Sequence, residues 1–233
     1  MAEESLIEVG PVPLEQTLLE CVTGRLVSRD AGDAEEVLFV ISGAGSLHVD
    51  GVWHDLRAES GAYLPPGSLY ELRTAHDVPF RAIAVRVPDP EPADPSKPAP
   101  GASVRHLAEQ DAQAATTDRE FRIIADPDHG GLRSATHFVG YIPPGKAPDH
   151  FHTYDEVIYV LDGEGVFHAG DRHERLGPGS VIHLPARTVH CLENTGADVM
   201  RVVAVFRPAG SPAAAYYPDG TPAYADSPPV TTS

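Results

Sequence analysis

Three histidines and a glutamate stand where their types and spacing could hold a metal ion. His150, His152 and Glu156 fall in DHFHTYDEVIYVLDGEG, residues 149–165, and His190 falls later, in GSVIHLPARTVHCLEN. On a helix, residues two apart point about 200° from one another, whereas on a strand they share a face roughly 6–7 Å apart. A His-x-His pair serving one ligand therefore asks for β structure. The run VIYVL supplies it through branched and aromatic side chains, and Glu156 has the even parity of His150 and His152. All three can face the inside of a barrel, and His190, just after the turn at Pro185, is the candidate fourth ligand. Three imidazoles and one carboxylate suit one divalent transition metal, Fe, Mn, Ni, Co or Zn. An octahedral shell would leave two positions for water or substrate.

The elements that must position these residues are brief strands. Glycine (21) and proline (23) are plentiful, and short apolar runs lie between turn signals, so an all-β fold is expected. A shift of 120 residues lays EVLFVISGAGSLH (36–48) over EVIYVLDGEGVFH (156–168), with Glu, Val, Val, Gly, Gly and His coincident. Without a gap the same shift places Leu64-Pro65 on Leu184-Pro185 and Tyr70 on His190. The chain reads as a duplication of one β unit: strand, tight glycine turn, strand, Gly/Pro turn, strand. Closing each copy into a barrel or sandwich would remove exposed strand edges.

The proline-rich, acidic stretch VPDPEPADPSKPAPGA (87–102) cannot bury enough apolar surface to form an element. The expected division is an N-terminal copy over residues 1–87, a linker over 88–102, a C-terminal copy over 103–210 and an irregular tail over 211–233. In that tail Tyr216, Tyr217 and Tyr224 could anchor part of the chain on the barrel. SVRHLAEQDAQAATT (103–117) carries alanines and glutamines for a short helix, with poor periodicity.

A chain of 233 residues, 42% apolar, can bury a real core. Lys plus Arg number 17 against 34 Asp plus Glu, and the net charge of −17 repels phosphate backbones and anionic lipid, which excludes nucleic acid and membrane surfaces as expected partners. The start MAEESLIEVG has neither a basic n-region nor an apolar h-region, and no window approaches the roughly 20 apolar residues of a membrane span. A cytoplasmic protein is expected. Cys21 and Cys191 are too few for a disulfide framework or a thiolate metal site.

With these residues in view, Gly145-x4-His150-x-His152-x3-Glu156-x6-Gly163 resembles the first motif of the cupin family, one residue shorter than its commonest form before the first histidine. Gly179-x5-Pro185-x-Arg187-x2-His190-x3-Asn194 resembles the second, with Arg187 where the family usually has glycine. The resemblance covers residues 130–207 and implies that His150, His152, Glu156 and His190 are metal ligands. The N-terminal half is similar to a second cupin whose site is lost: the shift puts Asp30, Gly32 and Tyr70 at the places of His150, His152 and His190, and only Glu36 remains. The resemblance therefore implies a small bicupin, two double-stranded β-helix (jelly-roll) barrels in one chain with one working site. Cupin barrels commonly pair, which implies a homodimer.

Secondary candidates surround the ligands. His168 coincides with His48 of the metal-free copy, so a structural role stands beside a substrate-binding one. His183 coincides with Tyr63. Arg187 could orient an anionic substrate or cap the turn. Tyr141 lies on the strand leading to the first motif, where cupins often line their pockets. Cupins with this ligand set include dioxygenases, decarboxylases, isomerases, lyases and hydrolases, so the fold names no reaction. An ion with two adjacent free positions could chelate an enol, diol or α-keto acid and, as iron or nickel, admit dioxygen. The leading expectation is thus a metal-dependent oxygenase, dioxygenase-like, acting on a small oxygenated compound. GAYLPPGSLYELR (61–73) is similar to ureidoglycine aminohydrolases, manganese bicupins, which makes a metal-dependent hydrolase or isomerase the alternative. Their first motif, however, places glutamate before the first matched histidine. A non-catalytic ligand-binding cupin, with its ion fully coordinated, is the third reading.

Overall fold

Short runs rich in Val, Ile, Leu and aromatic residues become strands throughout, and glycine or proline turns separate them. The computed structural model describes residues 2–7, 14–21, 24–75, 79–92, 95–96, 99–116, 118–224 and 227. Two units emerge, Met1–Gln110 with Ile123–His137, and Asp111–Arg122 with Phe138–Ser233.

The first unit holds β1 (Ala2–Ile7), β2 (Glu15–Cys21), β3 (Leu26–Asp30), β4 (Glu35–Ser42), β5 (Ala44–Val49), β6 (Val52–Arg57), β7 (Ser60–Leu64), β8 (Leu69–Thr74), β9 (Phe80–Val87) and β10 (Ser103–His106). They form two antiparallel sheets, ordered β1-β2-β9-β4-β7-β10 and β3-β8-β5-β6. Leu19, Leu38 and Leu64 from the first sheet meet Leu47, Tyr70 and Leu72 from the second in one buried core, the packing of a jelly roll.

From residue 111 onward the strands are β11 (Gln113–Ala114), β12 (Glu120–Ala125), β13 (Thr136–Ile142), β14 (Gly145–Lys146), β15 (Asp155–Asp162), β16 (Gly165–Ala169), β17 (Arg172–Leu176), β18 (Val181–Leu184), β19 (Cys191–Asn194) and β20 (Met200–Arg207). Their sheets are ordered β11-β12-β13-β20-β15-β18 and β14-β19-β16-β17. The division between units falls inside β12 and β13.

The duplication is visible in the register. Under the shift of 120, β4 lies on β15 and β9 on β20 residue for residue: Glu35 faces Val87, and Asp155 faces Arg207. Both pairs slip at the same place, between Val40 and Ser42 and between Val160 and Asp162. The glycine turns that follow are matched too. Gly43 and Gly163 both have φ of 88°, and a Cβ would lie 2.1 Å from the Pro79 carbonyl oxygen at Gly43 and 2.7 Å from Met200 Cα at Gly163. Backbone angle and missing space together demand glycine there.

Some expectations are corrected and others sharpened. β10, assigned by its sequence to the C-terminal barrel, instead pairs with β7 of the first unit, Ser103 opposite Tyr63, and forms the edge of that sheet. The 103–117 stretch forms no α-helix among its described residues; a single 3-10 turn, Leu107–Glu109, separates β10 from β11. Residues 88–102 carry no strand or helix among those described. Finally, the tail has no strand among its described residues, yet Ala213–Tyr216 is buried and Tyr216 makes a two-way backbone bridge with Phe151. Tyr217, by contrast, is exposed. No helix among the described residues is long and apolar enough to cross a membrane.

Candidate metal centre

The two histidines of the first motif do not lie on the strand that carries Glu156. β15 begins at Asp155, and His150 and Phe151 form isolated bridges instead. What brings the rings together is an exchange of main-chain bonds: His150 N–H donates to His190 O at 3.0 Å and His190 N–H to His150 O at 2.8 Å. Arg187 N–H adds a bond to His152 O at 2.7 Å. Arg187 has φ of 64°, so it adopts the left-handed backbone that explains the usual glycine at this motif position. The three imidazoles are brought together by pairing of distant segments rather than along one strand.

The outcome is a buried triad. Ligand atoms of His150, His152 and His190 all lie within 4.8 Å of one another, and the ring centroids are 4.6–5.3 Å apart. Each Nδ1 meets a main-chain carbonyl: His150 with Pro148 at 2.9 Å, His152 with Ala214 at 2.8 Å and His190 with Thr188 at 3.0 Å. A carbonyl can only accept, so each Nδ1 carries the proton, and each Nε2 of the neutral ring keeps a lone pair for a cation. Burial lowers all three imidazole pKa values, that of His190 to about 3, with mutual repulsion among the rings adding to the effect at His152 and His190. The set could hold a metal ion without first losing protons.

Glu156 is buried on the same cavity wall, outside the 4.8 Å group. Its carboxyl is pushed up to about 8 by burial. Tyr154 stacks on His152 (4.7 Å, 9°) and on Phe206 (3.8 Å, 16°), fixing the imidazole plane between its carbonyl bond and an aromatic face. The cavity encloses about 80 Å³, room for several waters or one compact ligand. Phe138, Ile142 and Val202 give it apolar walls, while Arg119 and Tyr141 add polar ones.

The secondary candidates separate. Tyr141 lines this cavity, with the Arg122 guanidinium 5.9 Å from its ring centre. His168 does not: its Nε2 lies 2.7 Å from Glu193 and its Nδ1 2.9 Å from His173. His183 faces a different surface depression, shared with Arg172 and Arg175. The Arg187 side chain is exposed and outside the cavity lining. Asn194 of the second motif is buried and structural, its amide nitrogen donating to Ile142 O and Asp198 O at 2.8 and 2.7 Å. Sequence reasoning missed Arg119, which belongs to no motif, and the Ala214 carbonyl, which no side-chain pattern can announce.

In the first unit the corresponding residues hold no such triad. Arg29 spans them, its Nε donating to Tyr70 OH at 2.7 Å and its Nη2 to Glu36 at 3.0 Å. A guanidinium thus supplies the positive charge beside the one retained carboxylate, whose pKa burial still holds above the usual range.

Comparison with known proteins agrees with this fold. The cupin domain model matches residues 27–86 and again 137–206, more than half of the chain; the chain belongs to the cupin family, as a bicupin. Auxin-binding protein 1 of Arabidopsis thaliana is 29% identical over 75 residues, which is 28% of this chain and 37% of that protein, so the match spans well under two thirds of that relative's length. Among solved structures, protein YlbA of E. coli superposes with a TM-score of 0.70 at 16% identity, covering 83% of this chain and 76% of that one. Oxalate decarboxylase of Bacillus subtilis, a structure described for its Mn(II) centres, superposes with a TM-score of 0.69 at 14% identity, covering 90% and 73%.

Proposed function

We propose that this bicupin is a metal-dependent enzyme that holds one divalent ion on His150, His152, His190 and Glu156 of its C-terminal unit, and that it acts as an oxygenase on a small oxygenated organic compound. The observation that carries this reading is the commitment of all three Nδ1 protons to main-chain carbonyls, which leaves three Nε2 lone pairs free in a group whose ligand atoms lie within 4.8 Å of one another. The Mn(II) centres of the oxalate decarboxylase with the same fold support a resident divalent ion. When bound, such an ion would polarise an oxygenated ligand as a Lewis acid and, as iron or nickel, provide a site for dioxygen. The protein's own groups do the rest. The imidazoles stay neutral, Glu156 gives the carboxylate on losing its proton, and the apolar walls limit the cavity to a compact substrate.

Elemental analysis of purified protein, together with oxygen uptake over a panel of diols, enols and α-keto acids, tests the proposal. About one metal ion per chain and uptake abolished in His152→Ala are expected. Protein that stays metal-free after incubation with each of Fe, Mn, Ni, Co and Zn would sink the proposal. Ammonia release or isomerisation without oxygen uptake would replace the oxygenase by the hydrolase or isomerase reading.

A further inference from the structure

We propose that Arg119 reads the charge of the substrate, and that the compound taken by this cavity is a small carboxylate. The inference rests on the metal-dependent reading above and narrows it. Arg119 directly precedes β12, in a turn closed by Ala115 N–H to Arg119 O at 2.8 Å and Arg119 N–H to Thr116 O at 3.3 Å. Its side chain reaches the wall of the cavity that also holds His150, His152 and His190. One Nη2 donates to the Leu192 carbonyl and a further bond goes to the Cys191 thiol. No carboxylate pairs with it among the described residues. Three other arginines of these barrels do have acids: Arg29 has Glu36, Arg133 has Glu35 and Arg201 has Asp162. Glu120, the neighbouring residue, lines the same cavity but is exposed and does not pair with Arg119.

A guanidinium keeps its charge in any accessible pH range and presents donors in a planar fork. Arg119 is partly buried, and drawing a guanidinium even part-way out of water without a counter-charge costs free energy. A second cation held by the three imidazoles would be repelled by Arg119 across a medium of low dielectric. Both strains disappear if an anion lies between them, with its carboxylate on the guanidinium and another oxygen toward the triad. Phe138, Ile142 and Val202, which line the same cavity, suit a short hydrocarbon remainder on that anion.

Pyruvate and hydroxyacetone, alike in size but differing in charge, are the probes. Saturation-transfer NMR on metal-free protein and the visible band of Co²⁺-loaded protein would read their binding, with Co²⁺ uptake measured separately by equilibrium dialysis. The wild type should prefer pyruvate about tenfold or more, the effect of a charged hydrogen bond. Arg119→Gln should lose that preference while still taking up Co²⁺, and Arg119→Lys should keep part of it. Competition of formate against formamide in the wild-type protein reads the same charge preference without any variant. Equal binding of pyruvate and hydroxyacetone by the wild type, or unchanged pyruvate affinity in Arg119→Gln, overturns the assignment. Should Co²⁺, and likewise Fe, Mn, Ni and Zn, fail to bind while Arg119-dependent pyruvate binding persists, the metal reading falls and the Arg119 assignment stands. Co²⁺ binding with pyruvate indifferent to Arg119 removes the Arg119 assignment and leaves the metal reading in place.

Discussion

Burial pulls the triad and Glu156 in opposite directions on the pH scale. The unfolded histidines titrate near 6.5 and the folded ones lower, so the unfolded chain binds more protons in that interval. Their contribution to stability rises with pH and is complete above about 6.5. Glu156 behaves oppositely: it holds its proton to about 8 in the fold but loses it near 4.5 when unfolded, so its contribution falls as pH rises between those values. Between 6.5 and 8 the Glu156 effect alone of the four remains. Metal-free protein should therefore lose on the order of 2 kcal/mol over that window, and Glu156→Gln should remove the loss; calorimetry in a chelating buffer at several pH values would show it. An equal slope in the wild type and the variant would refute the assignment. The four candidate ligand positions were legible because His-x-His, glutamate and a distant histidine are side chains with fixed spacing. Arg119 was not, since its significance comes from what is missing beside it.

At the level of elements, the site is assembled more by loops than by strands. Parity alone places His150 and His152 on one strand with Glu156, but Thr153 and Tyr154 interrupt it, and the bridge between His150 and His190 does the aligning. Such a bridge is a pairing between distant segments, which local alternation cannot reveal. The same holds for the tail, where Tyr216 is buried against Phe151, rings 5.5 Å apart, and so holds Ala214 over His152. Tyr216→Ala should cost about 3 kcal/mol as a large buried aromatic. It should also weaken metal binding about tenfold or more by loosening the His152 carbonyl bond, which competition with a chromogenic chelator would measure. Unchanged metal affinity would detach the tail from the site.

Across the whole molecule the duplication was readable from the sequence down to its register, because glycine turns and apolar alternation repeat at one interval. Less readable was where contacts divide the chain: β10 and residues 123–137 belong with the first unit, and only pairing partners decide that. The two copies have resolved the same buried carboxylate differently, one with an internal arginine and the other with imidazoles arranged for an ion. Metal content should accordingly be about one ion per chain rather than two. Arg29→Met, which removes the cation bonded to Glu36, should destabilise the first unit by about 3 kcal/mol and leave the metal content unchanged; denaturation alongside elemental analysis would check both. Loss of metal in that variant would contradict this division of labour.

The segment carrying Ala214 lies C-terminal to all four candidate ligands. A growing chain would therefore present its imidazoles before the oxygen that orients His152 has been made, and an ion met at that stage would find a looser grip than one met after Ala214 has docked.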